Sequence, residues 1–248
     1  MIIIKSPEEI ELMRESGKVT KQVLEELETF IRPGLSTQDV NKFVEDIITG
    51  HGMYPTFKGY SGFPAGACVS VNDEVVHGIP DKARILHEGD IVSVDVGSTY
   101  KGYVSDAART YAVGNISKEA QRLIDTTRES FFAGLEFCRV GFRLSDISHA
   151  IQTRAEADGF SVIWDFVGHG VGQNLHEDPQ IPNFGKPGRG PRLAPGMVFA
   201  IEPMICEGTY DVRTLENNWT VVTKDGKLSA HYENTVVITD DEPQLLTV

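Results

Sequence analysis

The chain echoes itself at a spacing of 107 residues. Arg32-Pro33-Gly34-Leu35, followed by Asp39-Val40 and Gly52, returns as Arg139-Val140-Gly141-Phe142, followed by Asp146-Ile147 and Gly159. Leu86-His87-Glu88-Gly89-Asp90-Ile91-Val92-Ser93-Val94-Asp95 returns as Leu193-Ala194-Pro195-Gly196-Met197-Val198-Phe199-Ala200-Ile201-Glu202, with the same offset. Few residues are identical within either match, so the common offset is what ties them together. It implies a duplicated helix-plus-sheet unit whose halves face each other about a pseudo-two-fold axis. Asp95 and Glu202 then occupy equivalent strand positions.

Local signals fit that frame. Ser6-Pro7-Glu8-Glu9 is a helix start, with a Ser cap, Pro at the first position and Glu three residues after the cap. Ile10, Met13, Val23, Leu24 and Leu27 follow at helical spacing, and Val40, Phe43, Val44 and Ile47 give a second helix over Thr37–Ile48. Further helices are expected near Ser117–Phe137 and Ser145–Asp158. Strands are expected at Ala67–Val71, Ile91–Val96, Val104–Val113, Met197–Ile201, Trp219–Thr223 and Glu233–Thr239. Pro179–Gly196 reads as a Pro/Gly-rich loop, locally basic through Lys186, Arg189 and Arg192.

Two of these strands carry carboxylates where apolar residues belong. Asp95 interrupts Ile91–Val96, Asp106 interrupts Tyr103–Ala108, and Gly97–Gly102 between them reads as a hairpin turn that sets the two face to face. A lone carboxylate in such a core is costly unless it is protonated, paired or bound to a cation. The repeat adds Glu202. The following strand, which opens His231-Tyr232-Glu233, adds Glu233 as counterpart of Asp106. Four carboxylates converging in a core would repel one another, and two divalent cations would balance them.

His169, in Val167-Gly168-His169-Gly170-Val171-Gly172, is the remaining candidate ligand, because its flanking glycines let the backbone pass close to a site. His77 and His176 stand in similar settings. Oxygen donors with one imidazole favour Mn, Fe(II), Co or Zn over Cu. Taken singly, an Asp at a strand end is more often a turn residue and a Gly-flanked His more often structural. The joint occurrence, with two members related by the repeat, outweighs that reading.

Other chemistries lack support. Gly59-Tyr60-Ser61-Gly62-Phe63 misses the last glycine of a nucleophile elbow, and no phosphate-binding glycine loop or HExxH is present. A formal charge of −13 argues against a general nucleic-acid or anionic-membrane surface. The opening Met1-Ile2-Ile3-Ile4 is too short for a signal-peptide core, and no run reaches the length of a membrane span. Cys68, Cys138 and Cys206 are scattered, which suits a reducing cytoplasm and argues against a cysteine zinc site.

The ordered set Asp95, Asp106, His169, Glu202 and Glu233, with Asn72–Pro80 and Gly168–Gly172, closely resembles the type I methionine aminopeptidases over essentially the whole chain. The resemblance implies the pita-bread fold of the α+β class, an antiparallel sheet backed by paired helices. Residues 1–248 would form one catalytic domain with pseudo-symmetric halves of roughly 1–113 and 114–248. It also implies a cytoplasmic, monomeric enzyme of the short bacterial form. Such an enzyme removes the initiator Met from nascent polypeptides with a small second residue, and docks transiently at the ribosome.

Carried over by residue, Asp95 would chelate one metal, Asp106 and Glu233 would bridge both, and His169 and Glu202 would hold the other. Glu202 would shuttle the proton, His176 would bind the substrate carbonyl and His77 the scissile nitrogen. Phe57, Tyr60, Phe63, Cys68, Leu175 and Trp219 would line the methionine pocket. Phe57, Phe63 and Leu175 depart from the enterobacterial pattern, which has Cys, Tyr and Phe there. The rivals are an X-Pro aminopeptidase, whose relatives usually carry a substantial N-terminal domain, and a non-catalytic pita-bread module, which typically lacks some of the ligands.

Overall fold

The computed structural model describes residues 1–248. Its first helix, α1 (Pro7–Phe30), opens on the expected capping box: Ser6 Oγ accepts the Glu9 N–H, and the Glu9 carboxylate accepts the Ser6 N–H. Three more helices follow, α2 (Thr37–Gly50), α3 (Lys118–Leu135) and α4 (Leu144–Ala157). Asp39 accepts the Ser36 N–H at the start of α2, and Asp146 accepts the Arg143 N–H at the start of α4. The repeated aspartates therefore perform one capping task in each half.

The repeat extends to the backbone. A bridge joins Ser36 to Ile85, and its equivalent joins Arg143 to Arg192. Leu86 N–H donates to the Leu35 carbonyl, as Leu193 N–H does to that of Phe142. Gly89 and Gly196, just before equivalent strands, hold φ of +94° and +83°, a conformation that L side chains resist.

All strand pairs are antiparallel. In the first half, β1 (Ala67–Val71) flanks β2 (Ile91–Tyr100), and β3 (Tyr103–Ala112) lies along the other edge of β2. The second half contains β4 (Gly168–Gly170), β5 (Glu177–Ile181), β6 (Val198–Ile201), β7 (Met204–Cys206), β8 (Ser229–His231) and β9 (Asn234–Val237). Its main sheet runs Gln244–Leu245, β9, β6, β4, β5, while β7 pairs with β8 in a smaller one. Short strands at Glu74–Val76, Val212–Thr214 and Val221–Thr223 form a further sheet.

Two expectations are corrected. The hairpin turn is only Lys101-Gly102, with φ of 47° and 83°, as two-residue hairpin turns require. Gly97–Tyr100 stays in the strand because Ser98 and Thr99 pair with Ser105 and Val104, and because Ser98 joins a buried hydroxyl cluster with Ser16, Thr20 and Ser105. Asp95 therefore pairs with Ala108 and Asp106 with Gly97, so the two acids sit diagonally on one face rather than directly opposite. The expected loop Pro179–Gly196 begins as strand, since β5 reaches Ile181 and pairs with β4.

Each sheet is covered by its own helix pair. Val23, Leu24 and Leu27 of α1 and Val40, Val44 and Ile48 of α2 pack on Val92, Val94 and Ala107. Phe131 of α3 and Ile147 and Ile151 of α4 pack on Phe199, Ile201 and Val236. Because side chains alternate along a strand, Asp95 and Asp106 point to the uncovered face. The halves meet where Glu233 N–H donates to the Ala108 carbonyl at 3.0 Å and Thr235 Oγ1 donates to the Asp106 carbonyl at 2.8 Å.

Candidate metal centre and cavity

A cavity of about 220 Å³ opens at this seam, and all thirteen residues singled out from the sequence line it. Its lining combines the acids and imidazole Asp95, Asp106, His169, Glu202 and Glu233 with His77, His176 and the largely apolar set Phe57, Tyr60, Phe63, Cys68, Leu175 and Trp219. Ser61, Val76, Phe166 and Val167 complete it.

His169 reaches the centre because glycines flank it. A Cβ on Gly168 would sit 2.5 Å from the Ala200 carbonyl oxygen, and one on Gly170 2.2 Å from that of Asp178. The His169 Nδ1–H donates to the Gly170 carbonyl at 2.9 Å, leaving the Nε2 lone pair aimed inward. Nε2 lies 3.6 Å from Asp106 and 3.4 Å from Glu202, too far for hydrogen bonds and with no proton to give. A lone pair facing carboxylate oxygens is repulsive unless a proton or a cation lies between them.

Burial dominates the electrostatics. It pushes the Asp95 carboxyl up to about 7, and raises Asp106 and Glu202 well above the usual range, helped by the neighbouring carboxylates. Glu233 rises for the same reasons, partly offset by the Arg109 guanidinium, whose Nη1 donates to the Glu233 carbonyl at 2.6 Å. Burial pushes His77 down to about 4 and His169 to about 3. Cys68 is raised well above its ordinary value by burial and then by Asp95, so its thiol stays protonated.

Buried Asp95 Oδ1, Asp106 Oδ1 and Glu233 Oε1 find no hydrogen-bond partner. Orphaned buried oxygens are rare, and here they cluster. Asp106, His169 and Glu233 place donor atoms within 4.8 Å of one another, and Asp95, His231 and Glu233 do the same. The donor set fits divalent cations of the Mn to Zn series.

The apolar side is built from short elements. The Phe63 and Trp219 rings meet edge-on with centroids 5.1 Å apart, and His77 stands edge-on to Trp219 at 6.2 Å and to Phe166 at 5.6 Å. His77 itself holds φ of 58°, a strained position of the kind that clusters at functional sites. Tyr60 Oη lies 2.7 Å from His176 Nδ1. Sequence reasoning gives His231 and Phe166 no role. For His231 the available signal is its place two residues before Glu233 on an extended run, which puts both on one side.

Antiparallel halves that close on buried carboxylates and imidazoles define a metallohydrolase of pita-bread type. The chain belongs to metallopeptidase family M24, whose model matches residues 11–240. It is 56% identical to a methionine aminopeptidase of Clostridium acetobutylicum over all of this chain and 99% of that protein. Among solved structures it is similar to the methionine aminopeptidase of Thermotoga maritima, with a TM-score of 0.98 and 48% identity over 100% of this chain and 99% of that one. That of Rickettsia prowazekii also gives 0.98, at 38% identity with both chains fully covered.

Proposed function

We propose that this chain is a methionine aminopeptidase of the short bacterial type, removing the initiator Met from nascent polypeptides whose second residue is small. The observation that carries the reading is the cavity itself, where an apolar pocket abuts a wall of orphaned carboxylate oxygens. The likeness to methionine aminopeptidases at 48% and 56% identity supports it. Both halves contribute ligands, so residues 1–248 act as one domain. No helix is long and apolar enough to cross a membrane. The reading places the enzyme in the cytoplasm as a monomer, working on chains as they leave the ribosome.

Two divalent ions would be held here, Asp95 chelating one, His169 and Glu202 the other, and Asp106 and Glu233 shared. Bound there, they would supply a hydroxide-strength nucleophile at neutral pH and polarise the scissile carbonyl. The chain's residues do the rest. Phe57, Phe63, Cys68, Leu175 and Trp219 bury the methionine side chain, whose thioether suits aromatic contact. Tyr60 Oη lies 2.7 Å from His176 Nδ1, and with its O–H as the donor the neutral imidazole would carry its proton on Nε2, where it can donate to the carbonyl oxygen as negative charge develops there. Glu202 carries a proton toward the departing amine. His77, kept neutral by burial, contacts the scissile nitrogen.

Asp106→Asn tests this account. It removes a shared carboxylate, so turnover of Met-Ala-Ser is expected to vanish and bound metal to fall. Full activity in the variant would sink the dinuclear reading.

A further inference from the structure

We infer that His231 is a metal ligand of this centre, so that each cation position has its own imidazole: His169 with Asp106 and Glu233, His231 with Asp95 and Glu233. The inference rests on the metallopeptidase reading above and deepens it. His231 ends β8 and is 2% exposed. Thr110 of β3 clamps its backbone, Oγ1 accepting the His231 N–H at 2.8 Å and donating to the His231 carbonyl at 2.9 Å. That clamp ties the residue to the strand that also carries Asp106.

The ring nitrogen Nε2 has no hydrogen-bond partner. Its nearest acceptors, Glu233 Oε2 at 3.6 Å and Glu202 Oε2 at 3.7 Å, lie beyond hydrogen-bonding range. A histidine kept only for packing would spend that nitrogen on one of these carboxylates or on a backbone group, since an unsatisfied buried polar atom carries the full desolvation penalty. Asp95 Oδ1 and Glu233 Oε1 are orphaned as well, and Asp95, His231 and Glu233 each place a ligand atom within 4.8 Å of those of the other two. One cation satisfies all three at once.

The arrangement changes selectivity. A position served only by carboxylates accepts Mn readily, whereas an added imidazole nitrogen moves preference toward Fe(II), Co and Zn. The triads share Glu233, so strengthening the Asp95 position with nitrogen makes the two positions more alike.

X-ray absorption on the intact, zinc-loaded protein tests the proposal without a mutation. It is expected to count one imidazole per zinc. One imidazole for every two zincs would overturn the proposal and leave the dinuclear reading standing; failure to retain zinc at all would overturn both. Calorimetric titration of His231→Gln gives a second readout. It replaces nitrogen by an amide oxygen and is expected to weaken one Zn or Co site by roughly 10- to 100-fold, with a smaller loss for Mn. Unchanged Zn and Co affinities in a folded variant would contradict the assignment, and if the variant does not fold, the absorption count on the unmutated protein decides.

Discussion

Trp219 shows how a single side chain divides its work. Its indole packs edge-on against Phe63 in the cavity lining, with its ring centroid 6.2 Å from that of His77. In this reading it binds methionine and leaves bond breaking alone. Trp219→Ala is therefore expected to raise KM for Met-Ala-Ser about tenfold, the equivalent of an aromatic–thioether contact of roughly 1 kcal/mol plus some lost apolar burial, with kcat changed less than about twofold. A fall in kcat at constant KM would argue against a pocket role. At this scale the sequence is highly legible for the carboxylates: Asp95 and Asp106 stand in runs of Val and Ala, where an acid needs a reason. It is less legible for His231. A histidine next to an aromatic looks like ordinary core packing, and only the fold shows its nitrogen left without a partner.

Helices are the most readable elements, because caps and apolar spacing are local properties. Ser6 sits where its capping box predicts, and α2 starts at Thr37 as its apolar spacing predicts. The three-residue strands β4, β7 and β8 escape because their stability comes from neighbours distant in sequence. The hairpin turn is shorter than the glycine at 97 suggests for a similar reason: Gly97 serves the Phe57 ring, 2.8 Å from where its Cβ would be, and not a turn. β4 gives a direct test. On Gly170 a Cβ would sit 2.2 Å from a backbone oxygen of the adjoining β5, which cannot swing aside like a side chain. Gly170→Ala is expected to cost about 1–3 kcal/mol in denaturant unfolding and to weaken metal binding by moving His169. Gly50→Ala in α2, where a Cβ meets nothing within 4 Å, serves as control and is expected to be neutral or stabilising.

The molecule as a whole is a duplicated unit that concentrates like charge at its midline. The repeat predicts that the halves converge, and the hydrogen bonds between Ala108 and Glu233 and between Asp106 and Thr235 form that seam. What the repeat cannot convey is asymmetry: His169 and His231 both come from the second half, so the ligand set departs from two-fold symmetry. The charge concentration has a pH signature in chelator-treated protein. Asp95 is raised to about 7 and its three partners are raised as well, so the folded state holds protons that the unfolded chain has already released. Stability from such groups is full below the ordinary carboxylate range and is lost as pH rises through the folded values. The buried histidines oppose this only below about 6.5, where the unfolded chain protonates them. Between pH 7 and 8.5 the chelated protein is therefore expected to lose stability as pH rises, and saturating Mn is expected to flatten the slope; a metal-free profile that is flat or rising across that window would contradict the burial argument. The most direct test of the central claim is hydrolysis of Met-Ala-Ser by chelator-treated protein titrated separately with Mn, Fe(II), Co and Zn. No turnover is expected without metal, with saturable recovery on adding at least one of these ions and no cleavage of an Xaa-Pro peptide; metal-independent turnover, or preference for the Xaa-Pro peptide, would contradict the assignment.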